Sequence, residues 1–238
     1  MTVKMISRPS KKTPLSSMSS MLGRTIILLF LLLMITGCSH EHDSNNIINK
    51  SMSNNMNNKG IILMIIAPNN FRDEEFFIPK RLFEENHFKV LVASSTKKPT
   101  SMFGKSVVVD MNLSQALDLL TNNKNNNNND SDVVAVVFPG GSGVPVYYDN
   151  EIIKDIVVNA YNNNKVIGAI CLAPIILAKA GVLEGRQATV WDHSFITTLQ
   201  SYGAVYKKEG VVVDGNIVTS NSPKHAEEFA NAILSLLE

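Results

Sequence analysis

From Gly60 onward, short apolar runs alternate with longer segments whose apolar residues recur at helical spacing. Gly60–Ala67, Phe88–Ala93, Val133–Phe138 and the run opening at Lys165 read as strands, and their near-continuous apolar character is that of strands buried on both faces. Lys105–Asp110 predicts a further strand at an edge or in a hairpin, and Gln187–Trp191 and Val205-Tyr206 predict two more. Asp214-Gly215, set between two apolar arms, is the strongest hairpin signal in the chain. Between these runs the spacing predicts helices over Phe76–Asn86, about Ser114–Leu120, Asn150–Asn162, Pro174–Gly181, Ser194–Ser201 and Pro223–Leu237. Pro174 sits in a first turn with Gly181 at the end, and Ser222 is placed to cap the last helix. Strands alternating with helices imply an α/β three-layer sandwich around a mostly parallel sheet. In such sheets ligands bind beyond the carboxyl ends of the strands. Three loops converge there: the one holding Asp73–Glu75, the one holding Gly140-Gly141, and the turn after the Lys165 run.

The first 59 residues break this pattern. Residues 1–37 carry Lys4, Arg8, Lys11, Lys12 and Arg24 but no acid, and then comes the apolar run Ile26–Ile35. A basic segment, a short apolar run and small residues before a break predict a signal peptide. The run is too short to span a bilayer as a helix, which takes about 20 residues. Ile35-Thr36-Gly37-Cys38 resembles a lipobox, so Cys38 is expected to carry a lipid and to hold the exported protein at the cell membrane. Residues 38–59 are Asn- and Ser-rich and read as a disordered tether, in which His40 and His42 are solvated rather than metal ligands. The domain then runs over 60–238, interrupted by an Asn-rich insertion at 122–132 with no chemistry of its own.

Composition narrows the partners. The chain has 22 basic and 21 acidic residues, and removing the first 37 takes five positives and leaves 17 against 21. That balance offers no concentrated basic face, so nucleic acid is not expected. With two cysteines and one of them assigned to the lipid, a disulfide framework is excluded and Cys171 is a free thiol.

Cys171 lies where the Lys165 run meets the Pro174 helix, in the frame Ala169-Ile-Cys171-Leu-Ala173. A sharp strand-to-helix turn pushes one side chain out above the sheet and requires small residues two positions either side, the logic of a nucleophile elbow. A buried, inert cysteine is the competing reading. The helix N-terminus predicts a lowered thiol pKa, while a nearby glutamate would raise it; the fixed helix is expected to prevail.

Beyond local pattern, the chain resembles the ThiJ/PfpI family, a branch of the class I glutamine amidotransferase-like fold, over essentially all of Gly60–Glu238. The matching pieces are Phe71-Arg-Asp-Glu-Glu-Phe-Phe-Ile-Pro79, Val90–Ser94, Phe138-Pro-Gly-Gly141, Ala169-Ile-Cys-Leu-Ala-Pro174, Ala180–Gly185, Gln187–Val190 and Gly210–Asn216. The resemblance implies a flavodoxin-like sandwich, a nucleophilic Cys171, frequent homo-oligomers and a small-molecule substrate, with no cofactor and no metal. It also implies an acidic partner for the thiol, here Glu75 or Glu74, since the position matched without gaps is Arg72. Many members have His after the cysteine, where this chain has Leu172. Gly140, Gly141 and the Leu172 N–H are placed as oxyanion donors, and His193 is a candidate base although Trp191 occupies the matched position. A hydrolase or lyase acting on small carbonyl or glycated compounds is the leading expectation. A non-enzymatic redox-responsive protein sensing oxidation at Cys171 and a cysteine peptidase are the alternatives.

Overall fold

The computed structural model describes residues 58–122 and 132–238. The expected signal peptide, the lipobox Cys38, most of the tether and the body of the Asn-rich insertion lie outside them. Ten strands are described: β1 (Ile61–Ile65), β2 (Asn69–Phe71), β3 (Lys89–Ala93), β4 (Thr100–Ser101), β5 (Val133–Phe138), β6 (Val166–Ile170), β7 (Gln187–Ala188), β8 (Val205–Tyr206), β9 (Val211–Asp214) and β10 (Ile217–Ser220). The α-helices are α1 (Asp73–Glu85), α2 (Leu113–Asn122), α3 (Glu151–Asn162), α4 (Pro174–Lys179), α5 (His193–Ser201) and α6 (Ala226–Ser235).

Six strands form the central sheet in the order β3-β1-β5-β6-β10-β9. All neighbours pair parallel except β10 with β9, which form the hairpin anticipated at Asp214-Gly215. The three central strands β1, β5 and β6 are buried almost without interruption, because helices cover both faces. Helices α1 and α6 pack together on one side, while α2, α3, α4 and α5 form a chain of contacts on the other. The result is the expected three-layer α/β sandwich. Among the described residues, no helix is long and apolar enough to cross a membrane.

Several local expectations are corrected. Lys105–Asp110 forms no regular strand; it folds back on residues 97–101 as an irregular arm, with an isolated bridge Thr100–Ser106 and bonds from Val107 N–H to the Pro99 carbonyl and from Val109 N–H to that of Lys97. The run at Gln187 pairs only through Ala188, since the next N–H groups go elsewhere: Thr189 donates to the Thr219 hydroxyl and Trp191 to the Cys171 carbonyl. Ser222 makes no capping bond, and the last helix opens as a 3-10 turn over Pro223–His225. Helix α1 begins at Asp73 rather than Phe76, which brings the acidic residues into its first turn. Asp132, assigned to the inert insertion, accepts Ile61 N–H on its carbonyl and pairs with Lys165 at 2.7 Å, so the insertion's last residue is part of the domain.

Candidate active site

Strand β6 ends at Ile170, α4 begins at Pro174, and the turn between them holds Cys171 at φ +66°. Residues with a Cβ rarely occupy that left-handed region, and holding one there stores about 1–3 kcal/mol. The surroundings impose it from both ends of the residue. Cys171 N–H donates to the Ser220 carbonyl of β10 at 2.8 Å, and its carbonyl accepts Trp191 N–H at 3.0 Å. With both backbone groups tied down, the side chain projects at the carboxyl end of the sheet, as a nucleophile elbow requires.

The three acids opening α1 do not share one capping role. Asp73 accepts the Ser101 hydroxyl at 2.8 Å and Phe103 N–H at 3.2 Å, fastening the segment after β4 to the helix. Glu74 turns to Arg72 and binds its guanidinium through two bonds of 2.7 and 3.1 Å. Glu75 points toward the elbow. It is fully buried, its Oε2 accepts Gly140 N–H at 2.9 Å, and the Cys171 thiol lies beside the same carboxyl. Glu75 Oε1 is buried with no nitrogen or oxygen partner. Of the two glutamates named from sequence, the structure therefore brings Glu75 to the thiol and leaves Glu74 on the guanidinium.

Gly140 is the spacer that permits this meeting. A Cβ built there would lie 2.5 Å from the Cys171 Cβ, 2.5 Å from Glu75 Oε2 and 2.6 Å from the Ile170 carbonyl. Its N–H is bound by Glu75, so Gly140 is not free to serve as the oxyanion donor placed there from sequence. Gly141, at φ +110°, passes so close to the Asn70–Arg72 loop that a Cβ would meet the Asn70 carbonyl at 2.3 Å. Its N–H and that of Leu172 lie near the Cys171 sulfur, where they favour its charged form. Those two groups form the donor pair.

Burial dominates the electrostatics. It pushes the Glu75 carboxyl up to about 7, against the pull of the Cys171 S–H, the Gly140 N–H and the Arg72 charge. Burial also pushes the Cys171 thiol well up, the neighbouring Glu75 charge adds to it, and the Gly141 and Leu172 N–H groups only partly offset both. The expectation of a lowered thiol pKa is corrected. Helix α4 has six residues and starts beyond Ala173, whereas the thiol is only 8% exposed and sits beside a carboxyl. The resting pair is thus a protonated thiol beside a carboxyl group raised to about 7 by burial.

The thiol and Glu75 close one end of a cavity of about 210 Å³. Its other walls come from Arg72, Met102, Gly141, Ser142, Leu172, Trp191 and Pro223. Arg72 stacks on Phe103, its guanidinium carbon 4.9 Å from the ring centre. His193 is exposed at the start of α5 and does not line this cavity; its neighbour Asp192 caps that helix by accepting Ser194 N–H. Two contributors were missed in the sequence. Met102 belongs to a segment with no readable periodicity. Tyr148, whose hydroxyl donates to the Leu172 carbonyl at 3.1 Å, follows the Gly-rich loop with nothing in its spacing to mark it. Among the described residues, no three His, Cys, Asp or Glu side chains gather as a metal site would need.

A strained cysteine at a strand-to-helix elbow, faced by a buried glutamate from the first turn of α1, defines a cysteine-centred α/β sandwich. The chain belongs to the DJ-1/PfpI family, whose model matches residues 61–236. It is 40% identical over 180 residues to an uncharacterized protein of Methanocaldococcus jannaschii, covering 74% of this chain and 82% of that one. It is 31% identical over 178 residues to the deglycase PfpI of Pyrococcus furiosus, covering 74% and 99% of the two chains. The crystal structure of a ThiJ/PfpI domain protein from Brachyspira murdochii matches with a TM-score of 0.66 at 28% identity, over 76% of this chain and 96% of the other.

Proposed function

We propose that the protein is a cysteine-dependent enzyme acting on small carbonyl or glycated compounds, exported and held at the cell membrane by a lipid on Cys38. The observation that carries the chemistry is a cysteine held at a strained strand-to-helix elbow with the buried Glu75 carboxyl beside it at the mouth of one cavity. A deglycase among the relatives agrees with it.

In this reading Glu75 acts as the base. As a 2-oxoaldehyde enters, the Glu75 carboxylate takes the thiol proton while sulfur forms a bond to the aldehyde carbon. The carbonyl π pair moves to oxygen, which lies against the Gly141 and Leu172 N–H groups and then takes the proton back from Glu75, giving a hemithioacetal. Glu75 next moves the proton of the former aldehyde carbon to the adjacent carbon, and the hydroxyl proton passes to the former ketone oxygen, which converts the adduct to a thioester. Water hydrolyses the thioester, releasing a 2-hydroxy acid and restoring the thiol. A glycated thiol enters the same path by passing its aldehyde carbon to Cys171 and leaving as the free thiol.

The test is turnover of methylglyoxal to lactate by the full chain, beside Cys171→Ser and Glu75→Gln. Both variants should lose activity by at least about a hundredfold, the scale of a positioned acid–base group; a Cys171→Ser protein that retains the wild-type rate would end the proposal. For the tether, Cys38→Ala should move the protein out of the membrane fraction, and unchanged retention counts against it. The peptidase reading finds less support, because the histidine base it would draw on, His193, stands outside the cavity.

A further inference from the structure

We infer that the Cys171 cavity selects a neutral carbonyl compound with an apolar arm, an aryl- or cycloalkyl-substituted 2-oxoaldehyde, over small or anionic ones. The inference rests on the carbonyl chemistry proposed above and adds the substrate class. Glu75, the thiol and the Gly141 backbone gather at the reacting part of the cavity. Most of the remaining wall is hydrocarbon, from Met102, Leu172, Trp191 and Pro223, with Arg72 and Ser142 as its other polar lining. Met102 and Trp191 are large apolar side chains left 40% and 46% exposed, so the rim of the cavity presents apolar surface to water. A substrate arm laid against them removes that surface from water at both partners.

Charge points the same way. Arg72 is the one cationic side chain in the wall, and it is already spoken for: Glu74 binds it through two nitrogens and Phe103 stacks on its plane. An anionic arm would meet a guanidinium whose charge Glu74 already offsets, and would approach the Glu75 carboxyl. Leu172 bears on the same selectivity, since the side chain directly after the nucleophile offers hydrocarbon where an imidazole would offer a hydrogen bond.

Binding can be read separately from chemistry, because Trp191 is the only tryptophan in the chain. In the full-chain Cys171→Ser protein, which cannot form the thiol adduct, Trp191 emission is followed during titration with cyclohexyl methyl ketone, acetone and pyruvate. The cycloalkyl ketone should give a saturable change with a midpoint at least about tenfold below the other two, the order expected when an apolar group fills an apolar pocket. In the wild-type protein, kcat/KM for phenylglyoxal should exceed that for methylglyoxal by a similar factor, and Leu172→Asn should erase most of the difference. Equal midpoints, or tighter binding of pyruvate, would overturn the inference. Ketone binding with the stated preference but no turnover of any 2-oxoaldehyde would uphold the apolar selectivity and sink the catalytic proposal. Turnover with equal kcat/KM for the two aldehydes would do the reverse.

Discussion

Replacing Glu75 with Gln should change how stability depends on pH, by an amount that follows from the site. In the folded chain burial holds the Glu75 carboxyl at about 7, from an ordinary value of 4.5. The protonated form is therefore the one that folding favours. Stability from this group is fully present below about 4.5 and is lost as pH rises through about 7, because the folded state must then ionise a group that it has desolvated. Integrated between pH 5 and pH 8, the loss is about 2.5 kcal/mol. Since Glu75 is fully buried, solvent screening calls for no discount. Gln keeps an oxygen for the Gly140 N–H but cannot ionise. It adds a roughly constant penalty for its buried amide, about 1–3 kcal/mol, at every pH. The assay is urea unfolding of both proteins at pH 5, 6, 7 and 8 under reducing conditions. The difference in unfolding free energy, variant minus wild type, should climb by about 2.5 kcal/mol across that range, whatever its absolute level. A difference that stays flat within about 0.5 kcal/mol would mean that the carboxyl is hydrated and titrates ordinarily, and the base assigned to Cys171 would be lost with it.

Three further perturbations separate positioning from packing. Gly140→Ala places a methyl group 2.5 Å from both the Cys171 Cβ and Glu75 Oε2, so methylglyoxal turnover should collapse and urea unfolding should show a loss of about 1–3 kcal/mol. Tyr148→Phe removes the bond to the Leu172 carbonyl; it should cost about 1 kcal/mol and lower kcat more than it changes KM, and it is checked by steady-state kinetics with thermal melts. Replacing residues 123–131 by a short Gly-Ser turn should leave the melting temperature within about a degree, whereas Asp132→Ala should lower it by removing the pairing with Lys165.

What the sequence made legible follows from which interactions are local. Strands β1, β5 and β6 were readable because burial on both faces leaves a continuous apolar run, and the β9–β10 hairpin because Asp214-Gly215 marks its own turn. The arm at 105–110 misled for a physical reason. Its alternation is real, since Val108 is 79% exposed while Val107 and Val109 pack on the core. Alternation reports which face is buried, however, and not whether a partner strand stands alongside. At the site, the elbow around Cys171 and the Gly140-Gly141 loop announced themselves through small residues. The choice between Glu74 and Glu75 did not, because it depends on the register of α1, which starts three residues earlier than its apolar periodicity indicates. The direction of the thiol pKa was missed because a six-residue helix is easily outweighed by desolvation, and burial depth is a property of the assembled sheet.

Cys171, Glu75 and Gly140 come from three separate stretches of chain, and the quieting of the thiol exists only where all three have met. In a chain that has come apart, the sulfur returns to the behaviour of free cysteine, near 8.5, and becomes more nucleophilic toward any passing reagent. The folded molecule thus keeps a latent nucleophile, wakened by a guest that lets Glu75 take the proton and indifferent to casual electrophiles. General alkylators such as iodoacetamide will count opened molecules rather than working sites, and their labelling rate at Cys171 will follow conformational opening rather than catalytic competence.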